Sequence, residues 1–168
     1  MLRMLLVVAA LGCTALFAAE NTKKEAARVG DEIPDLSAKD ETGKEVKLSD
    51  FKGKSGVVLF FYPKADTPGC TKESCGFRDE LDKLVAKGYQ PLGASRDTPE
   101  AQKAFKDKYK LTYPLLSDPD NKLSAAFGFT PGQRATAVIG KDGKIEKLVA
   151  TVAAATHAQD LLKDLGAK

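Results

Sequence analysis

Residues 57–62, Val-Val-Leu-Phe-Phe-Tyr, run without a charge and predict a strand buried on both faces, as inside a parallel sheet. Pro63 stops the run, and Asp66-Thr67-Pro68-Gly69 is turn chemistry. From there the period changes: Cys70, Phe77, Leu81 and Leu84 recur at helical spacing, and Lys87-Gly88 predicts the helix end. Upstream, residues 34–38 and 46–48 read as two short strands about a Thr42-Gly43-Lys44 turn. Downstream, residues 90–95 predict a strand with Pro91 at its start, because proline cannot donate to a ladder. Thr98 and Pro99 open a helix running to about Lys108. Residues 113–116 predict a short strand, 121–127 a short helix, 135–140 and 144–149 a hairpin about Asp142-Gly143, and 156–165 a closing helix. The order β-β-β-α-β-α-β-α-β-β-α predicts an α/β chain whose right-handed crossovers set helices on both faces of a mixed sheet.

The N-terminus has a different pattern. Residues 1–19 hold a charge only at Arg3, with an apolar run over 4–10 that resumes at Leu16-Phe17-Ala18-Ala19 before the polar Glu20-Asn21-Thr22-Lys23-Lys24. This predicts an export signal over 1–19, a flexible lead-in over 20–28 and one domain over 29–168. Ala10-Leu11-Gly12-Cys13 also resembles a lipoprotein cleavage box, but the apolar residues past Cys13 favour a plain signal and a periplasmic location. After removal of the signal, no stable membrane insertion is expected. Over the 168 residues 29% are charged and the net charge is +3. Acids and lysines interleave without a basic block, which argues against nucleic acid or an anionic surface as partner.

With Cys13 outside the domain, Cys70 and Cys75 carry the candidate chemistry. Cys70 stands where a buried strand passes through a tight turn into a helix. Unpaired N–H groups and the helix dipole favour an anion there, which makes the Cys70 thiolate a candidate nucleophile. Pro63, Thr67 and Cys70 form a Pro-x-x-x-Thr-x-x-Cys arrangement, and Cys75 follows five residues later. The arrangement resembles that of peroxiredoxins, and the second spacing resembles their Q-type, or bacterioferritin-comigratory-protein, subgroup. The resemblance runs from about Val29 to the C-terminus. It implies a thioredoxin-like three-layer α/β sandwich with a central mixed sheet and an added N-terminal β-hairpin. It further implies a thiol-dependent peroxidase acting on hydrogen peroxide and organic hydroperoxides, re-reduced by thioredoxin or a similar dithiol, with no metal or organic cofactor and as a monomer.

By that resemblance Cys70 attacks the peroxide, Thr67 offers its hydroxyl to thiolate and peroxide, Pro63 walls the pocket, and Arg134 supplies the cation. Arginine suits that place because its charge persists and its fork can direct several donors at two oxygens. Arg78 and Arg96 are rival cations; Arg78, eight residues along the helix, reads as a brace for the helix or a carboxylate. Glu73 reads as a complement to the helix dipole, and His157 as a surface or capping residue.

The resemblance pairs Cys70 with Cys75 in a disulfide. In an intact helix, positions five apart have Cα atoms about 8.6 Å apart, whereas a disulfide needs roughly 4.4–6.8 Å. If the two bond, residues 68–76 must first unwind. Two other readings exist. A thiol–disulfide oxidoreductase normally has Cys-x-x-Cys, whereas four residues intervene here. A copper chaperone would use Cys70, Cys75 and His157 as ligands. The chain departs from the Q-type pattern over residues 128–133, a shortened segment, and at Ile139-Gly140, where an aspartate is common.

Overall fold

The computed structural model describes residues 26–166; the expected signal, Cys13 and most of the lead-in lie outside them. The elements are β1 (Ser37–Asp40), β2 (Glu45–Lys47), a 3₁₀ turn (Leu48–Phe51), β3 (Gly56–Phe61), α1 (Pro68–Asp79), α2 (Leu81–Ala86), β4 (Tyr89–Ser95), α3 (Pro99–Tyr109), β5 (Leu115–Ser117), α4 (Lys122–Ala126), β6 (Ala135–Ile139), β7 (Ile145–Val149) and α5 (His157–Gly166). They form one seven-stranded sheet in the order β2-β1-β5-β4-β3-β6-β7. The β3–β4 and β4–β5 pairs are parallel, and the other pairs are antiparallel. At the described end of the lead-in, the Ala27 N–H donates to the Ala126 carbonyl at 2.8 Å.

The charge-free run of β3 follows from its place. It has neighbours on both edges and a core on each face. Val57, Leu59 and Phe61 join one apolar cluster with Leu92, Leu116, Leu123, Phe127 and Phe129. Val58, Phe60 and Tyr62 join the other with Cys70, Phe77, Leu84, Phe105, Tyr113 and Leu161. The period-two alternation of a strand therefore divides one sequence between two cores. The helices share these faces unequally: α1, α2, α3 and α5 contribute to the second cluster, whereas α4 and the 3₁₀ turn cover the first.

Two expectations shift. Pro91 is the third residue of β4, paired with Val58, and not its first. The Gly93 N–H donates across to the β5 side, at Pro114 O. Position 91 faces that same side by the strand period, but β5 pairs only from Gly93 onward, so the missing N–H meets no partner strand. The single helix expected to end at Gly88 is two, broken at Glu80, whose ψ of 7° leaves the α region. Gly88 itself has φ +85, as a helix-terminating glycine needs.

At the centre of β4, Gly93 allows an approach that no side chain would. A Cβ there would lie 2.8 Å from Leu115 Cδ2 and 3.0 Å from Phe60 Cζ. Gly93→Ala should cost about 1–3 kcal/mol by overpacking, read as a lowered midpoint in urea; an unchanged midpoint would contradict this packing.

Candidate active site

The β3–α1 connection delivers the cysteine. Thr67 is the N-cap of α1 with extended backbone (φ −94, ψ 151), Pro68 occupies the first helical position, and Cys70 is the third residue of the helix. The loop before it is held on two sides. The Ala65 N–H donates to Asp97 Oδ2 at 2.7 Å, and Asp66, at φ 59, accepts from Lys108 Nζ at 2.7 Å and from the Tyr109 hydroxyl at 2.6 Å. Those bonds hold the Asp66 carboxyl below its ordinary range. This tether is therefore present above the unfolded-state value and lost as pH falls through the depressed one.

Cys70 is buried, with 1% of its surface exposed. Arg134, one residue ahead of β6, donates from Nη2 to Cys70 Sγ at 3.3 Å. Its other terminal nitrogen, Nη1, donates to Glu73 Oε2. Burial alone would lower the arginine pKa, but the negative charges of Glu73 and Cys70 outweigh it and raise the value. The guanidinium crosses the first helical turn above Gly69, where a Cβ would come within 3.3 Å of Nη2. The shortened 128–133 segment is a compact turn: Thr130 donates from N and Oγ1 to Gln133 Oε1 at 2.9 Å each, and Phe129 is buried in the core. That turn brings Arg134 to the sulfur.

Beyond the arginine the network continues inward. Glu73 Oε1 accepts from His157 Nδ1 at 2.7 Å, and His157 Nε2 lies 2.9 Å from Thr136 Oγ1. The Glu73 side chain is wholly buried, and Arg134 and His157 take one of its oxygens each.

A scan against family models matches the AhpC/TSA family over residues 29–148. The chain belongs to the AhpC/TSA family. Its relatives are peroxiredoxins, among them peroxiredoxin bcp1 of Schizosaccharomyces pombe, 52% identical over 60% of this chain and 52% of that protein. A putative peroxiredoxin of Mycobacterium tuberculosis is 38% identical over 86% of this chain and 98% of the relative. Among solved structures, peroxidoxin BcpB from M. tuberculosis superposes with a TM-score of 0.77 at 36% identity, covering 83% of this chain and 96% of that one. A cysteine-to-serine mutant of PrxQ from Xylella fastidiosa gives 0.80 at 28% identity, covering 85% and 98%. The chain thus spans about half the length of some relatives and nearly all of others. The thioredoxin-like fold of these neighbours is the one expected from the sequence.

Against that family background the expected site residues divide. Cys70 and Arg134 meet. Thr67 is beside them in sequence, but its hydroxyl donates to the Lys64 carbonyl at 3.0 Å and makes no hydrogen bond to the sulfur. Pro63 is exposed on the loop between β3 and α1. Cys75 is half-buried within the same unbroken helix as Cys70, and both thiols are free. Arg78 braces, donating to Asp79 Oδ1 at 2.8 Å and to the Tyr109 carbonyl at 2.6 Å, and Arg96 is exposed. Among the described residues no group of His, Cys, Asp or Glu is placed to hold a metal, so the copper ligand set Cys70, Cys75 and His157 does not assemble.

Two readings need correction. Glu73 does more than complement the dipole, and His157 is neither on the surface nor a cap: both are buried in the arginine network. The sequence holds a signal for each. Glu73 follows Cys70 by three, which puts it on the same helix face. His157 precedes Leu161 and Leu165 at intervals of four, in the apolar stripe of α5. Glu73→Leu should leave Arg134 and His157 without their shared anion and cost about 3–5 kcal/mol, measured by chemical denaturation. A stability equal to that of the parent would contradict the network.

Proposed function

We propose that this chain is a thiol-dependent peroxidase that reduces hydrogen peroxide and organic hydroperoxides at Cys70. The observation that carries the reading is the 3.3 Å contact from Arg134 Nη2 to a buried Cys70 Sγ in the first turn of α1. The guanidinium donates to the sulfur at the N-terminal turn of α1, and both the cation and the helix dipole stabilise negative charge there. The Cys70 thiolate attacks one peroxide oxygen: an S–O bond forms, the O–O bond breaks, and the departing oxygen takes a proton to leave as water or alcohol. Cys70 is then a sulfenic acid. Charge grows on the leaving oxygen in this step, and a preorganised cation such as Arg134 is the group to meet it. The Thr67 hydroxyl already donates to Lys64, so the role that suits it is acceptor for the peroxide O–H and not donor to the thiolate. The exposed Pro63 lies on the loop and does not take the wall position that the resemblance implied.

Cys75 resolves the intermediate. Its thiolate attacks the sulfenic sulfur, forms the Cys70–Cys75 disulfide and releases hydroxide, which is protonated to water. Because α1 is regular through both positions, its first turns must unwind beforehand. Ser74 favours that opening: its buried Oγ has no hydrogen-bond partner, and unwinding returns it to water. Thioredoxin or a similar dithiol reduces the disulfide, and the chain acts as a monomer. The apolar run before Glu20 supports an exported enzyme drawing on a periplasmic dithiol.

Peroxide consumption in the presence of a thioredoxin system tests this reading. Cys70→Ser should abolish it. Cys75→Ser should consume about one equivalent and stop at the sulfenic acid. Full turnover by Cys75→Ser would refute the intramolecular disulfide, and turnover by Cys70→Ser would refute the site. Arg134→Ala should slow the first step by about 10²-fold or more while leaving disulfide formation intact; a parental rate would remove Arg134 from the reaction.

A further inference from the structure

We propose that His157 is the positioning residue that aims Arg134 at Cys70, acting through the Glu73 carboxylate. This rests on the reading of Cys70 as the peroxide-reducing thiol. An ionised carboxylate only accepts, so the 2.7 Å contact with Glu73 Oε1 fixes the proton of a neutral ring on Nδ1. In that tautomer Nε2 is the acceptor, and the Thr136 hydroxyl donates to it at 2.9 Å. The edge-to-face contact of the ring with Phe77, 5.0 Å between centroids at 82°, fixes its plane. The groups in contact with His157 are therefore Glu73 and Phe77 from α1 and Thr136 from β6.

The consequence lies in how Arg134 divides its donors. With one carboxylate oxygen occupied by His157, Glu73 offers the arginine its other oxygen through Nη1, and Nη2 is left for the sulfur. Guanidinium and carboxylate otherwise prefer a two-point, fork-to-fork pairing. Without the histidine, both carboxylate oxygens become available to Arg134, and its second donor swings from Cys70 to Glu73. The histidine thus prevents the arginine from being monopolised by its own counter-ion. It touches no reacting atom; its effect reaches the sulfur only through Glu73 and Arg134. A histidine that merely filled the core would influence stability and leave the aim of the arginine unchanged.

Two substitutions separate the bonds. Asparagine places an amide N–H close to Nδ1 and can keep the Glu73 contact, whereas glutamine reaches toward Nε2 and Thr136 and gives up Glu73. In a Cys13→Ser/Cys75→Ser background only Cys70 reacts. The chain has no tryptophan, so single-turnover peroxide reduction is followed by competition with horseradish peroxidase. His157→Leu and His157→Gln should slow the reaction by about tenfold or more, the loss of a hydrogen bond to a charged group. His157→Asn should recover most of that loss. Alkylation of Cys70 by iodoacetamide across the neutral pH range should rank the variants in the same order, whatever their urea midpoints. Asparagine and glutamine variants slowed equally, or in proportion to lost stability, would overturn the proposal. So would folded variants that all react like the parent. Peroxide reduction persisting in Cys70→Ser would overturn the underlying reading instead.

Discussion

One buried carboxylate governs the site. Glu73 is sealed from water, and a charge so placed is tolerated only when paired on all sides. It is paired by Arg134 and His157, and the first of these has a second task. The guanidinium stands between the Glu73 carboxylate and the Cys70 sulfur, with one nitrogen given to each. The pairing that makes a buried Glu73 tolerable therefore also fixes the position of the cation beside the Cys70 sulfur. The surrounding fold serves this arrangement: β3 and its loop deliver Cys70, α1 presents Cys70 and Glu73 on one face, the turn before β6 delivers Arg134, and α5 closes the interior with His157.

In the cycle proposed above, the same helix holds the sulfur and later releases it. Several contacts secure α1. Phe77 stacks on Phe60 with ring centroids 4.2 Å apart, and the Tyr113 hydroxyl donates to the Ser74 carbonyl at 2.7 Å. Burial pushes the Tyr113 phenol well above its ordinary range, so that donor stays protonated. Other features weaken the helix: the unpartnered Ser74 hydroxyl lies between the two cysteines, and the break at Glu80 shortens the cooperative unit that must yield. Of the α1 side chains in the second cluster, Phe77 lies beyond Cys75, so in that cycle the first turns unwind while Phe77 keeps the second half of α1 packed.

The strands and helices are legible because each carries a local signature: the uncharged run of β3, the Thr98-Pro99 start of α3, whose Thr98 Oγ1 accepts from the Ala101 N–H at 3.3 Å, and the Asp142-Gly143 turn. The Cys70 setting is legible for the same reason, since strand, turn and helix are contiguous there. The role of Arg134 is not written locally; 64 residues separate it from Cys70, and only resemblance brings it forward. Glu73 and His157 mislead because an acid near a helix start and a lone histidine each have a common surface explanation. Their mutual contact, 84 residues apart in sequence, is a property of tertiary packing. The place of Pro91 within β4 escapes the sequence because its tolerance depends on where the neighbouring strand begins.

The most direct test of the charge arrangement compares two thiols of one helix. Cys70 is the one held by Arg134, while Cys75, half-buried five residues on, is a built-in control. The rate constant for hydrogen peroxide is measured for Cys70 in a Cys13→Ser/Cys75→Ser chain and for Cys75 in a Cys13→Ser/Cys70→Ser chain. The account predicts that Cys70 reacts at least about a thousandfold faster. Equal rates for the two sulfurs would contradict it.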